Sequence, residues 1–389
     1  KSNMKYNYAL HLDKNTKEQF EACANQDFVI KSALMPDAHS GYVAPIGAVF
    51  VTKDYVVPSW IGYDIGCGMT AVRIKNNILS DVKKNSKQIY KEVMDWIPMG
   101  RGKLIHPKRV TEKTKKNFNK LLEKFQTGPH DKEVYKFIKN KSLSHLGTLG
   151  SGNHFLEICE NEKETWIVVH SGSRGVGYKV AQKYMKKVAK KDTGYEATFP
   201  IKITSKLGKE YLNVLNFGLE FALLNRKEMI YKTILAMEKV LGKKLDYEIW
   251  VNKNHNHAVL SGKNYIHRKG ATPAKKNERG VIPANMRDGS FLVEGLGNPK
   301  FLHSSSHGAG RLLSRTMAKK NISMSQFKES MKGIVGTIDE GTIDEAPMAY
   351  KNISDVMEAQ VESVKIVKHL KPVINMKGSS RRGREEKHS

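Results

Sequence analysis

Cysteine, proline and acidic residues are scarce in this 389-residue chain, and so are long apolar runs. The three cysteines, Cys23, Cys67 and Cys159, are odd in number and widely spaced, which argues against a disulfide framework and favours a reducing compartment. No apolar run approaches the roughly 18 residues that a membrane span needs, and no basic-then-apolar leader opens the sequence. We therefore expect a cytoplasmic protein without a membrane anchor.

Two common nucleotide-binding motifs are also missing. The chain has no Gly-x-x-x-x-Gly-Lys-Ser/Thr segment, and no Gly-x-Gly-x-x-Gly opens a helix after a strand. Apolar runs rich in β-branched residues mix with helical patterns without a regular strand–helix–strand order. The sequence therefore predicts one large α+β domain with a mixed sheet, and it excludes a doubly wound nucleotide fold.

Hydrophobic periodicity predicts where the main elements lie. An amphipathic helix with a basic outer face is predicted where Phe118, Leu121, Leu122 and Phe125 recur at helical spacing. Strands are predicted at residues 46–51, 71–74, 165–169 and 291–293. Further helices are predicted at residues 131–139, 177–190, 212–240, 308–319, 324–331 and 353–367.

Basic residues outnumber acidic ones, 66 to 39, which gives a formal charge of +27. Either the surface is simply lysine-rich or the partner is a polyanion, and nucleic acid is the favoured reading. Residues 75–142 hold 18 basic and 7 acidic residues. Within them Lys115, Lys116 and Lys120 are candidate phosphate contacts, with a solvated helix face as the alternative. The basic end of the chain, residues 379–389, is predicted to be a solvated tail.

Five short segments stand out: residues 62–68, 149–157, 168–177, 254–257 and 303–311. Four of them combine glycine with histidine, cysteine, aspartate or asparagine, and residues 254–257 read Asn-His-Asn-His. Asp64 and Cys67 lie three apart in a glycine-rich turn that can aim both side chains inward. With His154 and His170 they form an O, N and S donor set that suits a divalent transition ion, and a thiolate can bridge two ions. Each residue alone fits a structural role better, but their recurrence predicts a metal site.

Two of these segments share one design, in which a histidine precedes a glycine-rich turn, an arginine and a helix. The pairs are His170 with Arg174 and His307 with Arg311. Such loops offer backbone N–H groups and a guanidinium to phosphate, although an ordinary strand–turn–helix joint has the same pattern. Either histidine is a candidate nucleophile for a covalent nucleotidyl intermediate.

In this order the five segments resemble the RtcB family of GTP- and manganese-dependent RNA-splicing ligases. Further matches are Met-Pro-Asp-Ala-His-Ser-Gly-Tyr at 35–42, Ile-Pro-Met-Gly at 97–100, Arg-Lys-Gly-Ala at 268–271 and Asp-Glu-Ala-Pro at 344–347. The resemblance runs from about residue 30 to 378. It implies an RtcB-type catalytic domain over residues 1–378, with a central metal and nucleotide cleft, that includes the lysine-rich helical segment 75–142.

The resemblance implies an enzyme that joins an RNA 3′-phosphate or 2′,3′-cyclic phosphate end to a 5′-hydroxyl end. His307 would take GMP from GTP and pass it to the RNA 3′-phosphate, and the 5′-hydroxyl would then displace GMP. The implied role is tRNA splicing or RNA repair by a monomer, with room for an activator protein. One alternative is a metal-dependent phosphoesterase or nuclease that acts on RNA. The other is a non-catalytic RNA-binding relative, but the intact ligands argue against this second alternative.

The same resemblance implies roles for individual residues. Cys67 would bridge two Mn²⁺ ions, with Asp64 and His154 on one and His170 and His255 on the other. Arg174 and Arg311 would act with His307 in catalysis by holding phosphates. The implied nucleotide contacts are Asn153, Glu157, Asn225, Arg226, Ser290, Ala309, Gly310 and Lys377. One departure leaves nucleotide selectivity open: the family's Pro-Gly-Ser-Met-Gly-Thr-x-Ser loop reads Pro-Ala-Asn-Met-Arg-Asp-Gly-Ser at residues 283–290.

Overall fold

A computed structural model describes residues 3–380 of the chain, and its strands and helices follow no repeating order. The strands are β1 Met4–Asn7, β2 Val29–His39, β3 Ile46–Thr52, β4 Tyr55–Val56, β5 Gly68–Ile74, β6 Phe155–Asn161, β7 Glu164–Ser171, β8 Ile201–Lys202, β9 Tyr247–Asn254, β10 Asn256–Ser261, β11 Asn264–Lys269, β12 Ala271–Pro273, β13 Arg279–Asn285, β14 Gly289–Gly295, β15 Ser304–Ser306, β16 Val335–Gly336 and β17 Val364–Met376. The helices are α1 Lys14–Ala24, α2 Leu79–Lys84, α3 Ser86–Trp96, α4 Glu112–Thr127, α5 Lys132–Lys141, α6 Arg174–Ala189, α7 Lys206–Leu241, α8 Arg315–Asn321, α9 Met324–Ser330 and α10 Ile353–Glu358.

Two large sheets organise the fold. One has the order β1-β2-β3-β11-β10, and the other has the order β13-β14-β17-β6-β7-β5-β9, with β16 against β17. Each contains one parallel pair, β1 with β2 and β16 with β17, among antiparallel neighbours. The predicted mixture of helices with mixed sheets is therefore confirmed, in two sheets rather than one.

Helix α7 packs against the larger sheet. Its 36 residues begin at a cap in which Ser205 Oγ accepts from the Gly208 N–H, and they end at Gly242 in the left-handed conformation. One side packs on β5, β7 and β9, while other parts contact α3, α4 and α6. Burial on several sides explains its many apolar residues.

The predicted strands all lie within observed ones: β3, β5, β7 and β14. The helices predicted at 131–139, 177–190, 212–240 and 324–331 correspond to α5, α6, α7 and α9 within a few residues. The basic amphipathic helix is α4, and it buries Phe118 and Phe125 as its spacing predicted.

Two predicted helices are wrong over part of their length. Residues 308–314 are not helical, because Gly310 takes a positive φ of 79° and the helix starts only after the Ser314 cap. The helix predicted at 353–367 ends at Glu358, and Val364 begins strand β17, which pairs with β14. Val364, Ile366 and Val367 favour a strand because their branched β-carbons fit a pleated surface.

The ends of the chain complete the description. Of the predicted solvated tail, Ser379 is instead buried and its Oγ donates to Asp339 Oδ1 at 2.7 Å. Residues 381–389 lie outside the described residues, as do residues 1–2. Among the helices of residues 3–380, none is both long and apolar enough to cross a bilayer.

Candidate active site

Neighbouring strand ends bring the predicted metal ligands together. Strand β5 lies between β7 and β9, and its first residue, Gly68, pairs with Ser171 on one side and Asn254 on the other. Cys67 precedes that residue, His170 precedes Ser171, and the loop residue His255 follows Asn254. The His255 N–H donates to the Cys67 carbonyl at 2.7 Å. The register of three strands therefore sets three of the ligands at one edge.

Two ligand sets share one sulfur. Cys67, His170 and His255 form one set, and Asp64, Cys67 and His154 form the other, with ligand atoms within 4.8 Å of one another in each. Cys67 Sγ lies 3.2 Å from His170 Nε2 and 3.4 Å from His154 Nε2. Such spacing, with N, O and S donors, fits two adjacent divalent ions that share a thiolate.

The surroundings favour the neutral, ligand form of the histidines but not the thiolate form of Cys67. Burial lowers the pKa of His170 and of His255 well below the ordinary range, so both imidazoles are neutral and can donate a lone pair. His154 Nδ1 faces the Leu149 carbonyl at 3.0 Å, which favours a proton there and leaves Nε2 for a metal. Burial raises the pKa of the Cys67 thiol, and a bound cation would reverse that preference.

Arg226 and Asn225 lie beneath this cluster. Arg226 is fully buried, and its guanidinium donates to the carbonyls of Gly66 and Ser171 at 2.8 and 2.9 Å and to Asn254 Oδ1 at 2.7 Å. Asn225 Oδ1 accepts from the Gly147 N–H at 2.7 Å, and its amide donates to carbonyls near His170. The resemblance implied nucleotide contacts, but the structure places both residues off the cavity wall, where they hold the ligand-bearing loops.

Arg174 lies beside the metal ligands. It begins α6 with a positive φ of 59°, and its Nη1 atom is 3.4 Å from His154 Nδ1. Gly150 makes room for the guanidinium, since a Cβ at that position would come within 2.2 Å of it. The positive charge of Arg174 also helps to keep the Asp64 carboxyl ionised: although burial opposes it, His154 and Arg174 lower the pKa of that group.

His307 stands next to the metal cluster and against a buried carboxylate. Its ring centroid is 5.0 Å from that of His255, and its Nδ1 atom lies 2.7 Å from Asp37 Oδ2, whose residue is fully buried. The two groups are not aligned as an ideal hydrogen bond, but the carboxylate favours a proton on Nδ1 and leaves Nε2 with its lone pair. Asp37 belongs to the matching segment 35–42, but nothing in that segment indicates its contact with His307.

A cavity of about 570 Å³ opens on one side of His307. This volume is large enough to hold a nucleotide. The predicted site residues on its wall are Asn153, His170, His307, Ala309, Gly310, Arg311 and Lys377.

Glu345 joins the cations of this cavity. Arg311 Nη1 donates to Glu345 Oε2 at 2.8 Å, and Lys377 Nζ lies 3.2 Å from Glu345 Oε1 and 3.1 Å from the His154 carbonyl. Burial opposes the charge on Glu345, yet Lys377, Arg315 and Arg311 outweigh it and lower the pKa of the carboxyl to about 2. The cavity therefore keeps a fixed arrangement of cations that suits phosphate.

Glu157 and Ser290 lie behind the cavity wall. Asn375, which lines the cavity, donates to Glu157 Oε2 at 2.5 Å, and burial raises the pKa of Glu157 to about 7. Ser290 Oγ is buried with no hydrogen-bond partner within residues 3–380. In the altered loop, Asn285 lines the cavity while its amide donates to Asp288 Oδ2 at 2.8 Å.

The three lysines predicted to contact nucleic acid differ in exposure. Lys116 and Lys120 are exposed on α4, whereas Lys115 is partly covered and pairs with Glu112 at 3.1 Å. None of the three lines the cavity at His307.

Comparison with known proteins identifies the family. The family model described as tRNA-splicing ligase RtcB matches residues 19–378. The chain is 33% identical to the RNA-splicing ligase RtcB of Escherichia coli K12 over 389 positions, which cover 94% of this chain and 95% of that protein. It is 30% identical to the tRNA-splicing ligase RtcB of Nanoarchaeum equitans, covering 89% and 87% of the two chains. It is 28% identical to the tRNA-splicing ligase RtcB of Archaeoglobus fulgidus, covering 94% and 92%. A match across almost the whole chain, with the ligand cluster at its centre, shows that this protein belongs to the RtcB family.

Proposed function

We propose that the chain is an RNA ligase that joins a 3′-phosphate or 2′,3′-cyclic phosphate end to a 5′-hydroxyl end, using GTP and two Mn²⁺ ions. The observation that carries the proposal is the position of His307, whose ring lies 5.0 Å from that of the candidate ligand His255 and which lines a cavity rich in cations. The family and the names of the relatives support joining rather than cleavage.

The donor set fits the proposed ions. Asp64 with His154, and His170 with His255, would each hold one ion, and Cys67 would be common to both. Bound there, the ions would neutralise charge on the phosphates of the substrates.

The chemistry of the first step follows from the two ring nitrogens of His307. Because Asp37 favours a proton on Nδ1, Nε2 is free to attack the α-phosphorus of GTP. An N–P bond forms, the bond to the β-phosphate oxygen breaks, and pyrophosphate leaves with that electron pair. Arg311 and Lys377 would hold the phosphates during the transfer.

The later steps transfer GMP onto RNA and then release it. An oxygen of the RNA 3′-phosphate attacks the guanylate phosphorus, and the electron pair returns to His307 Nε2. The 5′-hydroxyl of the second RNA then attacks the 3′-phosphate, loses its proton and expels GMP. A cyclic phosphate is first opened by water. Arg174, whose guanidinium is 3.4 Å from His154, would steady the incoming phosphate.

The test is covalent labelling. We expect protein incubated with Mn²⁺ and α-labelled GTP to keep the label after denaturation, and His307→Ala to lose it. Asp37→Asn should label at least tenfold more slowly, because an amide no longer fixes the proton on Nδ1.

A neighbouring histidine supplies the matched control. His303 lies outside the cavity wall and has a φ of 51°, a conformation that asparagine tolerates. His303→Asn should therefore label normally. Label that persists in His307→Ala, or RNA that is shortened without GTP, would contradict the ligase assignment.

A further inference from the structure

A second cavity adjoins the nucleotide cavity, and His307 lines both. The second cavity measures about 390 Å³, and its wall includes Asp64, Cys67 and His255 together with His307. Asn153 and Tyr42 line both cavities. A guanylate bound to His307 in the nucleotide cavity would therefore leave this second cavity open to another substrate.

A buried lysine points into the second cavity. Lys269 is only 8% exposed, lines the wall, and its Nζ atom has no hydrogen-bond partner within the described residues. Glycine at positions 41 and 62 leaves space for it, since a Cβ at either would lie within 3.6 Å of Nζ. A buried ammonium group is unfavourable unless an anion pairs with it. The cavity is therefore built to accept a negative group.

Tyr42 and Tyr63 on the wall of the same cavity, together with Tyr178 packed on Tyr63, form an aromatic rim. The Tyr63 ring stacks on Tyr178 with centroids 4.6 Å apart and meets the edge of Tyr42 at 5.8 Å. Tyr63 also donates to Glu196, which fixes its position. Yet Tyr42 is 72% exposed and Tyr178 is 50% exposed. Exposed, ordered aromatic rings beside a phosphate-accepting cavity are the features by which proteins bind unpaired nucleotides.

We propose that the aromatic rim is the stacking platform for the phosphate-bearing RNA end: its terminal bases stack on Tyr42 and Tyr178 while the 3′-phosphate enters the cavity towards Lys269 and the metal ligands. The inference rests on the proposed ligase function and adds the residues that select an unpaired end. The phosphate-bearing end fits better than the 5′-hydroxyl end, because the 3′-phosphate supplies the anion that Lys269 lacks. In a base-paired end the bases are stacked on one another and only the outermost face is open, so the platform favours single-stranded ends.

The experiment measures binding, so that it does not depend on catalysis. Short single-stranded RNAs with a 3′-phosphate, either intact or abasic at the last nucleotide, are titrated against wild type, Tyr42→Ala, Tyr178→Ala and Tyr42→Phe. We expect the abasic change to weaken binding to wild type by roughly 5- to 100-fold. This penalty is the ratio of the dissociation constants for abasic and intact RNA. It should fall towards one in Tyr42→Ala and be reduced in Tyr178→Ala. It should persist in Tyr42→Phe, which keeps the ring.

The control is Tyr231→Ala, another tyrosine that is partly exposed (37%) but lies on α7 outside the cavity wall. It should show the full wild-type penalty. A penalty that persists undiminished in both alanine variants would overturn the platform. A penalty found only with RNA that is abasic at a 5′-hydroxyl end would overturn the assignment of the end. Failure of the ligase function would show separately, as an absence of GTP label on wild type.

Discussion

Replacing Arg226 by methionine tests whether a buried cation assembles the metal centre. The guanidinium contacts three segments that carry ligands: the Gly66 carbonyl beside Cys67, the Ser171 carbonyl beside His170, and Asn254 beside His255. Methionine is similar in length but donates nothing. Two buried carbonyls lose their charged donor at about 1–3 kcal/mol each, so we expect a loss of about 4 kcal/mol in the free energy of unfolding.

The assay pairs urea unfolding with calorimetric titration of Mn²⁺. We expect Arg226→Met to weaken metal binding by at least tenfold, because the three segments no longer hold their spacing. Arg226→Lys keeps the charge but can donate to fewer acceptors. Its Mn²⁺ affinity and its free energy of unfolding should therefore lie between those of Arg226→Met and wild type. If the methionine variant does not fold, the lysine variant still carries the comparison.

Lys232 offers a matched control on the same helix. It is also buried, but its Nζ atom has no hydrogen-bond partner among residues 3–380, and burial lowers its pKa to about 8. Lys232→Met should therefore change stability little and leave metal affinity intact. Unchanged Mn²⁺ affinity in a folded Arg226→Met protein would refute the reasoning and leave Arg226 a residue of the core alone.

Three further predictions concern other parts of the site. Cys67→Ser should abolish guanylylation and lower the bound metal from two ions towards one or none, as counted by elemental analysis; two ions in the purified variant would contradict the shared ligand. The pKa of Glu345 is lowered from 4.5 to about 2, so its charge stabilises the fold by about 3 kcal/mol above pH 4.5, and this stabilisation is lost as the pH falls towards 2. The difference in unfolding free energy between wild type and Glu345→Gln, measured in urea, should therefore close over that interval. A difference that does not depend on pH would contradict this prediction. Reversing the exposed charges in Lys116→Glu with Lys120→Glu should weaken RNA binding and flatten its dependence on salt while sparing guanylylation; unchanged RNA affinity would make them solvated surface residues.

The residues that the sequence predicted as metal ligands lie together in the fold, and each belongs to a short segment with its own chemistry. Asp64 and Cys67 share one glycine-rich turn, and His170 ends an apolar run that reads clearly as a strand. Cys67 belongs to both groups of candidate ligands, and its role as a ligand shared by two ions stays a prediction. Local patterns of this kind can be recognised in the sequence because the residues that form each one are only a few positions apart.

Long-range contacts could not be predicted in the same way. Asp37 meets His307 across 270 residues, and Arg226 reaches three loops from the middle of a helix. Nothing near either residue in the sequence indicates its partner. The same limit explains the helix wrongly predicted at 353–367, where pairing of Val364 with Gly295 on β14 decides the conformation.

The position of His307 on a wall common to both cavities has a consequence for inhibition. A compound that fills one chamber and reaches past the imidazole into the other would compete with the nucleotide and with RNA at once. Its two halves would bind with an effective concentration set by the short linker between them, so that modest fragments add up to a tight ligand. Asn153 and Tyr42 line both chambers, and the linker would lie against these two side chains.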